Sequence, residues 1–230
     1  MYDIEFAGIT GRAAGVKVTQ RPAVPSPRRR YNSTIVPGRA GSLIELDEYE
    51  DIEIPVKMNF VTSPEVWGTQ FRNVKKWLLG KSGRLVLSDD PGCFYRVKMV
   101  AINDTEREVR EGGTFTAIFL CDPYTYMAEG REEQNMESAS YNPYETSCPI
   151  YRIAGEGVCT LTVNGKSMTA NVGQNITIDT GLMIAYREDG TIQNTEVKGD
   201  YEDLYLQEGE NEIQITDGFA LSIIPNWRHI

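Results

Sequence analysis

The residues of this sequence best suited to chemistry are few, and their spacing decides what they can do. Asp89 and Asp90 are adjacent carboxylates, a pair fit for acid–base work or for holding a cation, but Pro91 and Gly92 follow at once. Aspartate in that setting caps its own backbone, so a tight turn over Asp89-Asp90-Pro91-Gly92 is the expectation. Gly8, Gly11 and Gly15 follow a short strand, yet no helix pattern follows them. A phosphate cradle needs strand, loop and helix in that order. The sole histidine, His229, lies next to the last residue. A Ser–His or Cys–His nucleophile would have to use it, and no Gly-x-Ser-x-Gly elbow is present. Carboxylate-only glycan hydrolysis needs no histidine and stays open as an alternative. No catalytic, cofactor-binding or metal-binding residue is assigned, no cofactor is expected, and the chain is read as not an enzyme.

The four cysteines, Cys93, Cys121, Cys148 and Cys159, contain no Cys-x-x-Cys pair. Reduced thiols are expected, because Cys121 and Cys159 lie in apolar runs where a thiol behaves as a small hydrophobe. Arg28, Arg29 and Arg30 follow Pro22, Pro25 and Pro27. They read as an extended, proline-stiffened arm suited to an acidic neighbouring subunit. The acidic run at 47–53 reads as a solvated face. Trp67 and Trp77 read as core or subunit-contact residues, and Trp227, flanked by Asn226 and Arg228, as a sandwich edge or a partner or sugar contact.

Hydrophobic residues make up 40% and charged residues 24% of the 230, enough for a sizeable core in one large or two ordinary domains. The net charge of −10 is unevenly placed. Residues 1–130 carry 17 Lys/Arg against 17 Asp/Glu, whereas 131–230 carry 6 against 16. Two units with different surfaces follow from that shift, and the lack of basic excess argues against nucleic-acid binding. Acidic residues stand where a signal peptide carries basic ones, and no apolar run approaches the roughly 20 residues of a membrane span. The expectation is a chain made in the cytoplasm with no membrane association.

Residues 51–60 alternate strictly, with Ile52, Ile54, Val56, Met58 and Phe60 on one face, and Pro55 suits an edge strand. A helix is predicted over 64–79, capped by Ser63, opened by Pro64 and ended by Gly80. Its stripe is Trp67, Phe71, Val74 and Leu78. Strands are predicted at 84–88, 94–102 and 114–121. Residues 122–148 lose periodicity and suggest a linker, set at 131–148 between a domain at 1–130 and another at 149–230. The second domain reads as an all-β sandwich. Its hairpin turn is Asn164-Gly165, and its short strands are expected at 158–163, 175–179, 182–186, 203–206, 212–216 and 220–224.

Three stretches carry a family resemblance. The first is Phe6–Thr10 with Arg21-Pro22 and Pro37–Gly41. The second is Lys76–Gly80 with Gly83–Gly92 and Phe94–Met99. The third is Leu206–Ile213 closing in Ile224–Arg228. In order and spacing this pattern resembles the distal tail protein (Dit) family of siphophages and prophages of Gram-positive hosts. The resemblance implies an N-terminal β-sandwich or split-barrel-like domain with one α-helix and a C-terminal galectin-like sandwich. It also implies a homohexameric ring in the baseplate at the virion tail tip. That ring joins the major tail tube protein to a tail-associated hub or lysin protein, and in some phages it also holds receptor-binding proteins. The chain has no room for an inserted carbohydrate-binding domain. A stand-alone carbohydrate-binding β-sandwich is the other alternative.

Overall fold

The computed structural model describes residues 2–103, 106–107, 112–135 and 139–230. The chain is mainly β, with one α-helix among the described residues, and it divides into two compact units, 1–125 and 126–229 (residue 230 groups with the first).

The first unit holds β1 (Ile4–Phe6), β2 (Ile9–Thr10), β3 (Lys17–Val18), β4 (Arg29–Ile35), β5 (Ser42–Tyr49) and β6 (Ile52–Val61). Then come α1 (Trp67–Leu78), β7 (Gly83–Leu87), β8 (Asp90–Ile102), β9 (Glu106–Arg107) and β10 (Gly112–Met127), whose last two residues count with the second unit. The main sheet runs β2-β1-β7-β8-β10-β6-β3, with β9 beside β10. The strict alternation of β6 is realised: Ile52, Ile54, Val56, Met58 and Phe60 are all buried. On its outer side β6 meets, among the described residues, only the short β3 and the Thr19 N–H, so Pro55 occupies an edge position as expected.

The helix is shorter than the predicted 64–79 at its start. Ser63–Val66 form a turn, with the Val66 N–H donating to the Ser63 carbonyl, and regular helix begins at Trp67. Gly80 has φ +70°, the left-handed ending its position foretold. Val74 and Leu78 are fully buried, whereas Trp67 and Phe71 are only partly so. Trp77, off the stripe, is buried as well, and its indole N–H donates to the Phe6 carbonyl at 3.1 Å.

The second unit contains β11 (Gln134–Asn135), β12 (Ala139–Asn142), β13 (Ile150–Val163), β14 (Lys166–Asp179) and β15 (Ile184–Tyr186). It closes with β16 (Val197–Lys198), β17 (Gly209–Ile215), β18 (Ala220–Ile224) and β19 (Arg228–His229). The stretch expected to be a linker, 131–148, is part of this unit. β11 pairs with β18 and β12 with β17, and Asn142 and Ser147 are buried. Asn142 satisfies backbone groups instead of facing water: its side chain donates to the Glu145 and Leu206 carbonyls. Aperiodic polar sequence marked a hydrogen-bonded seam.

Asn164 and Gly165, both at positive φ, turn the β13–β14 hairpin as expected, but its arms are 14 residues each. The long arms serve two sets of neighbours. β13 pairs with β18 through 150–154 and with β17 through 161–163. Between them lies Gly155, where a Cβ would stand 2.3 Å from the Phe219 ring. Tyr151, Ile153, Leu161, Val163, Ile176 and Ile178 fill the β-sandwich core. The strand expected at 203–206 is instead the end of a 3₁₀ turn over Tyr201–Leu204, with Leu204 and Leu206 buried.

Candidate functional site

The residues with chemical potential are scattered, and each is held by local structure. The turn expected over Asp89-Asp90-Pro91-Gly92 sits two residues earlier. Leu87 opposes Asp90, the loop is Ser88-Asp89, and Pro91 and Gly92 belong to β8. The N-terminal strand fixes that register, since the Asp3 N–H donates to the Ser88 hydroxyl and the Ser88 N–H to the Asp3 carbonyl. The Asp89 carboxylate pairs with Arg21 and accepts from the Tyr2 hydroxyl at 2.8 Å, and both contacts hold its pKa below the usual carboxylate range. Asp89 is a clasp between chain segments.

Gly8, Gly11 and Gly15 turn the chain around β2, and the Gln70 amide on α1 donates to the Ala14 carbonyl at 3.1 Å. His229 stacks on Tyr144 at 6.3 Å between centroids, and Tyr144 lies 6.0 Å from Trp227. Asn226 is buried, its amide donating to the Cys148 carbonyl. These contacts make Trp227 a packed edge. Among the described residues no cluster of His, Cys, Asp and Glu could hold a metal ion. The cysteines form no disulfide, and burial pushes the Cys121 thiol up to about 12.

The outstanding surface feature is the hairpin of β4 and β5, which among the described residues pair only with each other. Arg29 opens β4, so the arginines lead into a strand and not into an irregular arm. The base is pinned. The Arg29 side chain donates to the Asp47 carbonyl and lies over the Tyr49 ring, and Tyr49 meets Tyr124 edge-on at 6.3 Å. The acidic run at 47–53 is split: Asp47 approaches Arg30 at 3.8 Å, while Asp51 takes the Lys98 ammonium at 2.7 Å.

Register places Tyr31 opposite Leu46, Ser33 opposite Ile44 and Ile35 opposite Ser42, so these six share one face. On it Tyr31 is 63%, Ile35 83%, Ile44 53% and Leu46 56% exposed. An isolated two-stranded ribbon is marginal in water, and an apolar face of this kind on such a ribbon marks a contact surface. The sequence carried the signal in the alternation of Tyr31, Ser33 and Ile35 with Ile44 and Leu46 about Pro37–Gly41. The neighbouring arginines and acids are the stronger local signal, and they point to charge instead.

Fold and surface together define a two-part β scaffold whose most prominent chemistry is an unpartnered apolar hairpin. The same fold occurs in solved phage structures. One is the Dit protein of phage SPP1, described as a paradigm of the hub adsorption apparatus in phages infecting Gram-positive bacteria. It superposes with a TM-score of 0.66 at 11% identity, covering 97% of this chain and 98% of that one. Another is a chain of the phage P2 baseplate in its activated conformation with calcium, with a TM-score of 0.53, 12% identity and 96% coverage of both chains. No protein-family profile and no curated protein matches the sequence.

Proposed function

We propose that this chain is a siphophage distal tail protein, a structural component that closes into a ring at the virion tail tip. The observation that carries the proposal is the apolar face of β4–β5, which is built to be covered by another molecule, on a fold shared end to end with the SPP1 hub protein. A second copy is the simplest occupant. A head-to-tail contact repeated by rotation closes into a ring, and six copies is the number the resemblance implies. The first unit supplies the ring, because residues 1–130 sum to zero charge and crowd without repulsion. The 131–230 segment of the second unit carries the whole −10, so crowding it in a ring would be repulsive.

In this role the ring joins the major tail tube protein to a tail-associated hub or lysin protein and offers a seat for receptor-binding proteins. Assembly takes place in the host cytoplasm, and the work is mechanical, without catalysis. Native mass spectrometry of the purified chain tests the reading: a discrete closed oligomer supports it, and a monomer across the accessible concentration range contradicts it.

A further inference from the structure

The outer face of the second unit's larger sheet carries a trough with a volume of about 400 Å³. That is within the roughly 300–1,000 Å³ of small-ligand sites. Its floor is one register row crossing five strands. Asn135 opposes Ser222, Ser222 opposes Arg152, Arg152 opposes Thr177, and Thr177 opposes Tyr186. At about 4.8 Å per strand the row is ~19 Å long. The next row is Ala220, Ala154 and Asn175, and the small alanines leave the depression open beside the polar groups.

The polar groups are preset. Glu133 takes the Arg152 guanidinium on one carboxylate oxygen and the Ser222 hydroxyl on the other, both at 2.5 Å, which fixes the arginine plane. The Asn175 carbonyl oxygen accepts from the Glu188 N–H at 2.9 Å, which leaves its NH₂ to donate. Among the described residues, no group is hydrogen-bonded to the side chains of Asn135, Thr177, Tyr186 or Glu188. Thr177 is buried at the bottom, and its hydroxyl belongs to the polar row.

We infer that this trough binds a short uncharged saccharide. Planar amide, guanidinium and carboxylate groups meet vicinal hydroxyls two at a time, the Tyr186 ring offers an apolar face to sugar C–H groups, and the alanines admit the ring. Charge selects within the class. Arg152 is neutralised by Glu133, Glu188 adds a free carboxylate, and residues 131–230 carry 16 acids against 6 bases, so phosphate- or carboxylate-bearing ligands are repelled. A peptide strand would add to a sheet edge, not lie across a polar row on its face.

The test uses the full chain against lactose, N,N′-diacetylchitobiose and maltotriose, with 6′-sialyllactose as the acidic counterpart, by titration calorimetry. At least one uncharged sugar binds and sialyllactose does not. Ala154→Leu, at an exposed position, fills the trough and abolishes binding without moving the melting temperature. Arg152→Met, which loses charge-assisted bonds, weakens binding roughly tenfold or more. Absence of binding by all three uncharged sugars at millimolar concentration overturns the inference, as does binding that survives Ala154→Leu or is confined to sialyllactose. Oligomer mass, recorded on the same samples, reports separately on ring formation.

Discussion

Replacing Ile35 and Ile44 with serine removes the centre of the hairpin's apolar face and leaves the rest of the chain untouched. Full burial of an isoleucine is worth about 1.5–3 kcal/mol. Ile35 is 83% exposed and Ile44 53%, so the burial still available at a contact is about 1–2.5 kcal/mol for the first and about 1–1.5 kcal/mol for the second. One hairpin per interface then loses roughly 2–4 kcal/mol, which is about 30- to 700-fold in the dissociation constant of each contact. Neither side chain belongs to either core, so the unfolding free energy of the monomer should shift by no more than about 0.5 kcal/mol. Sedimentation velocity over a concentration series, paired with thermal melts, reads both quantities. A double variant that assembles like the parent at every concentration would refute the assignment of this face to self-contact. A variant that loses its fold along with its assembly would refute the claim that the hairpin is peripheral to the core.

A fragment of residues 1–127, which keeps β10 whole, should oligomerise by itself, while 126–230 stays monomeric; light scattering on both decides where assembly resides. Phe71→Ala should cost about 2–3 kcal/mol, below the usual range for a buried ring, because Phe71 is only partly buried beside Phe60, Trp67 and Phe115; denaturant melts check it. Asp89 has a depressed folded-state pKa, so its clasp stabilises above the unfolded value near 3.8 and is lost as pH falls through the folded one. The melting-temperature gap between parent and Asp89→Asn should therefore be widest near neutrality and close below about pH 4. Thiol titration should find four reactive cysteines in denaturant, with Cys121 and Cys159 slow in the native protein because burial raises both thiols.

Elements with a strong local period were legible in the sequence. β6 showed its buried face residue by residue, and Asn164-Gly165 marked the longest hairpin, because both depend on local rules. What tertiary contacts decide was not. The turn at Ser88-Asp89 is set by Asp3, Tyr2 and Arg21, distant in sequence, so the Pro-Gly pair misdirected it. Residues 131–148 looked unstructured because their pairing partners, β17 and β18, come some 70 to 90 residues later. The trough on the second unit's sheet lay out of reach for the same reason: its row draws one residue from each of five strands, and only register brings Asn135 and Tyr186 onto one face. The hairpin differs, since its alternation is visible in the sequence but carries no clue that the apolar face lacks a partner among the described residues.

In the proposed role, copies of this chain close on one another. Electron microscopy of the purified chain decides whether they do. Rings of uniform diameter with a central opening and six-fold symmetry are expected. Single particles of monomer size, or open filaments of indefinite length, would contradict it.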